Sequence, residues 1–239
     1  MLKSEIENII DIDGIVNAAI VEALNFEEDK PEIGVYRPSM VGKCIRANYL
    51  IYKFGVVPSE DKARIFAIGN IIHVFIQEKL KEKYGDLVKV EVPVEKSFEV
   101  YNIKVRGRVD VLFNEKYIIE LKTTNNLKKW NSELRIHEEM KAPYDDHVLQ
   151  LMLYLGMLKL KHGYIVYVEK NTLKTKTFRV DFNLDVYEKA ITRIVELHNY
   201  LVNDKLPPAE ALKNPNMRWQ CRFCEFREKC WRLEGISKC

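Results

Sequence analysis

Asp110 and Glu120 are the two residues of this sequence with the clearest capacity for chemistry. They lie on either side of Asn114-Glu115-Lys116, which we interpret as the turn of a β-hairpin. With the turn centred on Glu115, Asp110 faces Glu120 across the two strands. Side chains alternate between the faces of a strand, so Lys122 is expected on the same side as both acids.

Opposed carboxylates on neighbouring strands repel each other. A divalent cation between Asp110 and Glu120 would reverse that penalty, and Lys122 could then orient a water, or help to deprotonate it, for attack on phosphorus. The alternative is a solvated, charged face of an edge hairpin, because surface strands often carry Asp, Glu and Lys. The spacing alone does not decide between these two interpretations.

The alternation along the hairpin predicts one core face and one polar face. The odd-numbered residues are apolar and are expected to face the core: Val105, Val109, Val111, Phe113, Ile119 and Leu121. The even-numbered face is expected to be polar and carries Arg106, Arg108, Asp110, Glu120 and Lys122.

Two further segments could contribute to a site. The segment 145–161 predicts a helix that is apolar nearly all round and therefore buried, with Gln150 and Tyr154 one turn apart on one face. A buried amide needs a hydrogen-bond partner, which an active site or a neighbouring backbone would supply. His73, in the predicted helix 62–84, is either a satisfied core histidine or a nitrogen ligand that favours Mn²⁺ over Mg²⁺.

Cysteines form the second chemical pattern. Cys221, Cys224 and Cys230 are closely spaced near the C-terminus, Cys44 is remote, and Cys239 is interpreted as a free thiol. Three close thiolates and a remote one are compatible with a [4Fe–4S] cluster, and structural zinc also accepts four cysteines. A site that joins Cys44 to the tail would connect the two ends of the chain.

Length and composition narrow the class of protein. Of the 239 residues, 47% are hydrophobic and 31% are charged, and the formal net charge is +3. These values exclude disordered, collagen-like and disulfide-scaffold proteins, and the charge is too small to indicate a nucleic-acid partner by itself. No segment approaches the roughly 20 apolar residues of a membrane span, and the start lacks a signal peptide. We therefore expect a cytoplasmic protein with no membrane partner.

The elements that position these residues follow from periodicity and from glycine and proline signals. Helices are predicted over 3–26 (kinked or broken near Gly14), 44–54, 62–84, 145–161 and 184–203, and strands over 88–94, 96–101, 103–113, 117–123, 164–169 and 175–181. Residues 27–38 are expected to be a connector. This order of helices and strands predicts an α+β, or mixed α/β, fold.

Together these features resemble the RecB-type nucleases of the PD-(D/E)XK superfamily, and within them the CRISPR-associated exonuclease family that carries an iron–sulfur cluster. The resemblance covers about 36–234 and is carried, in order, by Ser39 with Cys44-Ile45-Arg46 and Tyr49, Gly69-x₃-His73, Gly107-Arg108-Val109-Asp110, Glu120-Leu121-Lys122-Thr123, Gln150-x₃-Tyr154, and Cys221, Cys224 and Cys230 after Pro207-Pro208. Residues 1–35 match no pattern of the family.

The resemblance implies specific roles. His73, Asp110, Glu120 and the Leu121 carbonyl would bind Mn²⁺ or Mg²⁺, and Lys122 would activate water. Gln150 and Tyr154 would position the catalytic groups, and a [4Fe–4S] cluster would be bound by Cys44, Cys221, Cys224 and Cys230. It also implies three regions: a helical region over 1–60 that supplies one cluster cysteine, a RecB-like nuclease core over 61–204, and a cysteine-rich cluster region over 205–239.

The activity implied is metal-dependent cleavage of single-stranded DNA, usually from the 5′ end, during CRISPR spacer acquisition. The CRISPR integrase complex is then an expected partner, and a homo-oligomer is an open alternative. Two other hypotheses remain: a RecB-type nuclease of DNA repair or of a virus, and a non-catalytic DNA-binding module with structural zinc.

Overall fold

The computed structural model describes residues 12–24, 26–131 and 136–235. Within this part of the chain the helices are α1 (Ile12–Glu22), α2 (Ile45–Phe54), α3 (Glu60–Tyr84), α4 (Asp145–Leu158), α5 (Leu184–Val202), α6 (Glu210–Lys213) and α7 (Arg227–Leu233). The strands are β1 (Val35–Tyr36), β2 (Val88–Phe98), β3 (Ile103–Phe113), β4 (Tyr117–Thr124), β5 (Lys128–Asn131), β6 (Ile136–Glu139), β7 (His162–Glu169) and β8 (Thr175–Asp181). The predicted mixed α/β fold is confirmed.

Local signals explain where the long helices begin and end. Acidic residues occupy the first turns of α3 and α4, where they interact favourably with the helix dipole. Gly85 ends α3 with a φ of 54°, and Lys159 ends α4 in the left-handed region. The Asn183 side chain accepts a hydrogen bond from the Val186 N–H and caps α5. The predicted helices over 62–84, 145–161 and 184–203 therefore agree with the structure within three residues at each end.

A six-stranded mixed sheet forms the centre of the molecule. Strands β2, β3 and β4 are antiparallel, β7 joins β4 in parallel, and β8 runs antiparallel to β7. Strand β2 pairs with β3 along nearly its whole length, so β1 and β4 must share the other edge of β3. Strand β1 pairs with β3 only at Lys104 and Val105, and β4 only from Val111 to Phe113. Among the described residues, the edge of β3 between those two pairings has no strand partner.

Helices cover both faces of the sheet at this point. Ile76 of α3 packs on the cluster that contains Val111 and Leu121, and α4 packs through residues such as Leu151 on the cluster that contains Ile118. The predicted burial of the helix over 145–161 is confirmed: Leu151, Leu153 and Leu155 have no exposed surface.

The predicted burial of odd-numbered residues is confirmed for Val105, Val109, Val111 and Leu121, but the prediction that they share one core face opposite a polar face is wrong. Val92 and Val109 pack in the cluster beneath α4, whereas their neighbours Val90 and Val111 pack in the cluster beneath α3. The alternation therefore breaks at Asp110 and at Glu91, which has a φ of 53° in the middle of β2. Even-numbered residues near the turn, including Leu112 and Ile118, are also buried, because α4 covers that face.

Other local predictions need correction. The separate strand over 96–101 does not exist, because β2 continues to Phe98 and a 3₁₀ turn follows over Glu99–Tyr101. Helix α1 passes through Gly14 without a break, and residues 3–11 and 25 of that predicted segment lie outside the described residues. The connector 27–38 contains β1, and the short antiparallel pair β5–β6 was not predicted.

Across the described ranges, none of the helices has the length and apolar character that crossing a bilayer would require.

Candidate active site

Asp110 lies where β3 and β4 separate. The register from Val111↔Ile119 to Phe113↔Tyr117 is the one predicted from a turn centred on Glu115. The pairing of β3 with β4 ends at Val111 and Ile119, so Asp110 and Glu120 are not paired with each other. The Asp110 Oδ2 atom instead accepts a hydrogen bond from the Leu121 N–H at 2.7 Å, which holds the carboxylate in the gap between the strands.

Glu120 is buried beneath α4, with 1% of its surface exposed. Its Oε1 atom accepts hydrogen bonds from Lys122 Nζ at 2.9 Å and from Gln150 Nε2 at 2.6 Å. Its Oε2 atom is fully buried and has no hydrogen-bond partner within the described structure. A buried carboxylate oxygen without a partner is costly unless a cation or donor reaches it. Carboxylate and carbonyl oxygens are the ligands that hard divalent cations prefer, so the residues present fit such an ion.

Lys122 is held between two oxygens. Its ammonium donates to Glu120 Oε1 and to Gln150 Oε1, the latter at 3.0 Å. Burial lowers the pKa of Lys122, but the nearby charges of Glu120 and Asp110 outweigh burial and raise it overall. Lys122 is therefore a cation here, suited to orienting a water or a phosphate oxygen rather than to acting as a strong base.

Tyr154 replaces the missing strand partner of β3. Its hydroxyl donates to the Arg108 carbonyl at 2.9 Å and accepts from the Arg108 N–H at 3.3 Å. This approach needs Gly107, because a Cβ atom there would lie 2.7 Å from the Tyr154 oxygen. Gln150, one turn earlier on α4, contacts Glu120 and Lys122. The two α4 residues therefore lie on the same side of the sheet as Glu120, and their roles at a site stay a prediction.

The two carboxylates have perturbed acidities. Burial raises the pKa of Asp110, and the Lys122 charge opposes that rise. Burial also raises the pKa of Glu120, with a further contribution from Asp110 and opposition from Lys122. Buried acids of this kind are typical of functional sites and also of structural ion pairs, so the shifts support a site without identifying it.

His73 on α3 shares this electrostatic environment. Burial lowers its pKa, the Lys122 charge lowers it further, and Glu120 and Glu91 oppose both effects. However, no three His, Cys, Asp or Glu side chains of the described residues lie close enough together to hold a metal ion as they stand. His73, Asp110 and Glu120 therefore lie near one another, but not close enough to share one metal ion as placed. Their role as metal ligands stays a prediction.

Sequence reasoning missed two residues beside Asp110. Gln77 is 4% exposed, and its side-chain Nε2 donates to the Asp110 carbonyl at 3.0 Å and to Glu91 Oε1 at 2.6 Å. Gln77 follows His73 by four residues on α3, so the argument used for Gln150 could have found it. No local pattern marked Glu91 as a site residue, because its side chain reaches the site only through the irregular backbone of β2 at that position.

The cysteine-bearing segments also meet. The Cys44 N–H donates to Gln220 Oε1 at 2.8 Å, and Gln220 Nε2 donates to the Gly42 carbonyl at 3.2 Å, so Cys44 is tied to the residue before Cys221. The buried Arg46 pairs with Glu234 at 2.7 Å. Cys44 therefore lies beside the tail, and the metal or cluster site predicted to join them stays a prediction.

The acidities of the cysteine thiols depend on burial and on one another. Burial raises the pKa of Cys221, Cys224 and Cys230, and charge on Cys44 raises each of them further. The four described cysteines are free thiols. As they are placed, no three of them lie close enough together to hold a metal ion. Cys239 lies outside the described residues.

Comparisons with known proteins are consistent with this geometry. A family model described as the PD-(D/E)XK nuclease superfamily matches residues 60–231. The CRISPR-associated exonuclease Cas4 of Saccharolobus solfataricus is 23% identical over 205 residues, which cover 84% of this chain and 89% of that protein.

Two solved structures are similar in fold. The crystal structure of SSO0001 matches with a TM-score of 0.59 at 18% identity and covers 92% of this chain and 95% of its own. An alkaline exonuclease from Laribacter hongkongensis, LHK-Exo, matches with a TM-score of 0.51 at 13% identity and covers 80% of this chain and 95% of its own.

Proposed function

The chain belongs to the PD-(D/E)XK nuclease superfamily, and on this premise we propose that it hydrolyses phosphodiester bonds of DNA with Mn²⁺ or Mg²⁺ held between Asp110 and Glu120. The observation that carries the proposal is the buried Glu120 Oε2 atom, which has no hydrogen-bond partner among the described residues and lies within the electrostatic influence of Asp110 and Lys122. In this assignment the Leu121 carbonyl and His73 complete the ligand set.

A bound divalent cation would supply positive charge for the phosphate oxygens and lower the pKa of water. The chain's own residues do the positioning. Gln150 fixes the orientation of Glu120 through one amide atom and of Lys122 through the other. An ammonium has three N–H donors, and Glu120 and Gln150 engage two of those of Lys122 in the described structure. The third can hold a water or a phosphate oxygen beside the scissile bond.

Tyr154 has a supporting role in this proposal. Its hydroxyl satisfies both backbone groups of Arg108, two residues before Asp110. The contact keeps the unpaired edge of β3 in place while β4 diverges. Tyr154 is therefore assigned as a positioning residue, and Asp110, Glu120 and Lys122 are assigned as the groups that meet the substrate or its cation.

The finer proposal concerns substrate and context. The similarity to a CRISPR-associated exonuclease over most of both chains supports an exonuclease that acts in a CRISPR system. As the finer function we propose 5′-to-3′ cleavage of single-stranded DNA during spacer acquisition, with the integrase complex as partner. We also propose a [4Fe–4S] cluster on Cys44, Cys221, Cys224 and Cys230. Its support is the hydrogen bond from the Cys44 N–H to Gln220, the residue before Cys221, and the effect of charge on Cys44, which raises the pKa of all three tail thiols. Such a cluster would hold the N-terminal and C-terminal segments together beside the nuclease core.

Digestion of end-labelled DNA tests the proposal. Single- and double-stranded oligonucleotides labelled at either end would be incubated with Mn²⁺, Mg²⁺ or EDTA. We expect metal-dependent loss of single-stranded substrate for the wild type, and none for Asp110→Asn, which keeps an oxygen that can accept the Leu121 N–H. Glu115→Gln is the matched control, because Glu115 lies at the turn of the same hairpin in an exposed pair with Lys89. Equal cleavage by wild type and Asp110→Asn would refute the assignment, and cleavage by neither would favour a DNA-binding module.

A further inference from the structure

Glu91 occupies an unusual backbone position. It lies in the middle of β2 with a φ of 53°, in the left-handed region that residues with a Cβ atom rarely adopt. The ladder pairs Val90 with Val111 and Val92 with Val109, so Glu91 and Asp110 face each other without a backbone pairing. Both strands change face at this point. A purely conformational requirement would favour glycine or asparagine here, which makes the carboxylate of Glu91 the feature to explain.

The break leaves Asp110 without a strand partner on either edge, because β4 has already separated from β3. A side chain takes over this function. Gln77 Nε2 donates both to the Asp110 carbonyl, at 3.0 Å, and to Glu91 Oε1, at 2.6 Å. Glu91 thus fixes the amide that holds the main chain of Asp110.

The charge of Glu91 also reaches the site. It is among the negative charges that raise the pKa of Asp110, after burial, and it partly offsets the lowering of the pKa of His73. Its partner Arg108 is mostly exposed, with 68% of the side chain accessible, and exposed pairs of this kind add little stability. Glu95, four residues later on β2, pairs with Arg106 and Lys104 without a left-handed backbone. An ion pair alone therefore does not require the conformation of Glu91.

We propose that Glu91 is a positioning residue of the cation site: its carboxylate strengthens divalent-cation binding at Asp110 and Glu120 and, through Gln77, fixes the main chain of Asp110. The inference rests on the proposed function, since it presupposes a cation between those two acids. Residues that hydrogen-bond to metal ligands and orient them commonly contribute about 10- to 100-fold to metal affinity.

Mn²⁺ affinity measured without DNA separates this role from a structural one. Titrations followed by electron paramagnetic resonance would compare wild type with Glu91→Gln, which keeps shape and removes charge, and with Glu91→Gly, which removes the carboxylate and relieves the backbone. Glu95→Gln is the matched control on the same strand. Melting temperatures in EDTA would be recorded for all four proteins.

We expect Glu91→Gln and Glu91→Gly to bind Mn²⁺ about 10-fold or more weakly, while Glu95→Gln matches the wild type. Glu91→Gly should melt no lower than the wild type, because glycine adopts the left-handed conformation readily. Affinities within about twofold of wild type for both Glu91 variants would overturn the inference, as would a loss that occurs only together with a lowered melting temperature. Failure of the wild type itself to bind Mn²⁺ would instead refute the proposed function.

Discussion

Replacement of Gly107 by alanine tests how α4 positions β3. An added Cβ atom would lie 2.7 Å from the Tyr154 oxygen, 2.8 Å from Tyr154 Cε1 and 2.9 Å from Pro38 Cδ. Since ordinary contacts begin near 3.4 Å, Tyr154, Pro38 or β3 must shift by roughly 0.5 Å or more in a close-packed interior. Tyr154 cannot shift freely, because its hydroxyl is bonded to both backbone groups of Arg108.

The expected cost has two parts. Overpacking of a close-packed site typically costs about 1–3 kcal/mol, and loss of the Tyr154–Arg108 hydrogen bonding costs about 1 kcal/mol more. For a protein of this size each kcal/mol lowers the melting temperature by about 2–4 °C. Gly107→Ala should therefore melt roughly 4–16 °C lower. Displacement of β3 beside Asp110 should also reduce the rate of Mn²⁺-dependent cleavage, on the order of 100-fold for a shift near 1 Å.

A double-mutant cycle locates the clash. Free energies of unfolding would be measured in denaturant for Gly107→Ala, Tyr154→Phe and the double variant. Because Tyr154→Phe removes the nearest atom, we expect the double variant to be more stable than the sum of the single effects by about 1 kcal/mol. Gly69→Ala is the control: its Cβ would meet only Thr123 Oγ1, at 3.3 Å, and alanine favours the α3 helix by about 1 kcal/mol.

Two results would refute this reasoning. Strict additivity of Gly107→Ala and Tyr154→Phe would show that the new methyl group does not meet the Tyr154 hydroxyl. An unchanged melting temperature for Gly107→Ala would show that α4 does not pack against β3 at this position.

Three further predictions concern charge and the cysteines. Lys122→Ala should lower the rate of DNA cleavage at saturating Mn²⁺ by about 100-fold or more, because a preorganised positive charge is removed; single-turnover gels measure this, and a rate near wild type would exclude a catalytic Lys122. In EDTA the contribution of Asp110 and Glu120 to the free energy of unfolding should fall as the pH rises from about 4 to about 7, because burial raises the pKa of both carboxyls and the folded state therefore binds their protons more tightly than the unfolded state in that range. Denaturant titrations should show a weaker dependence for Asp110→Asn, and an equal slope for both proteins would contradict the assigned cause. Anaerobically purified Cys221→Ala should lose the iron, sulfide and brown colour expected of the wild type, whereas Cys239→Ala should keep them. Iron analysis and visible absorption decide this, and a colourless wild type with one zinc per chain would replace the cluster with a structural zinc site.

Much of the fold could be predicted from short-range patterns. The end of α3 at Gly85 and the start of α5 at the Asn183 cap follow from local signals, which act within a few residues of the chain. The register of the β3–β4 hairpin follows equally from its turn, and the observed pairing of Val111 with Ile119 confirms it. The apolar circumference of α4 correctly predicted its burial, because an all-apolar helix has no face to present to water.

The prediction of side-chain faces failed on β3, where α3 and α4 pack on opposite sides of the same strand. A period of two assigns each side chain of β3 to one face, but α3 and α4 bury opposite faces of the same sheet. Glu120 is consequently buried rather than solvated. The break at Glu91 has no local sequence signal, since a glutamate in a strand of alternating valines gives no indication of a left-handed backbone.

The sequence by itself determined which chemical groups are available and how they are spaced: paired acids around a turn, a lysine two residues later, an amide and a tyrosine one helical turn apart, and three clustered thiols with a fourth far away. These patterns are readable because turns, strands and helices obey local geometric rules. Only the tertiary structure decided that β4 leaves β3 at Asp110, that Tyr154 fills the resulting edge from 46 residues away, and that Glu120 keeps one oxygen without a partner in the described structure. Those features arise from packing between distant segments, whose close contacts no local pattern encodes.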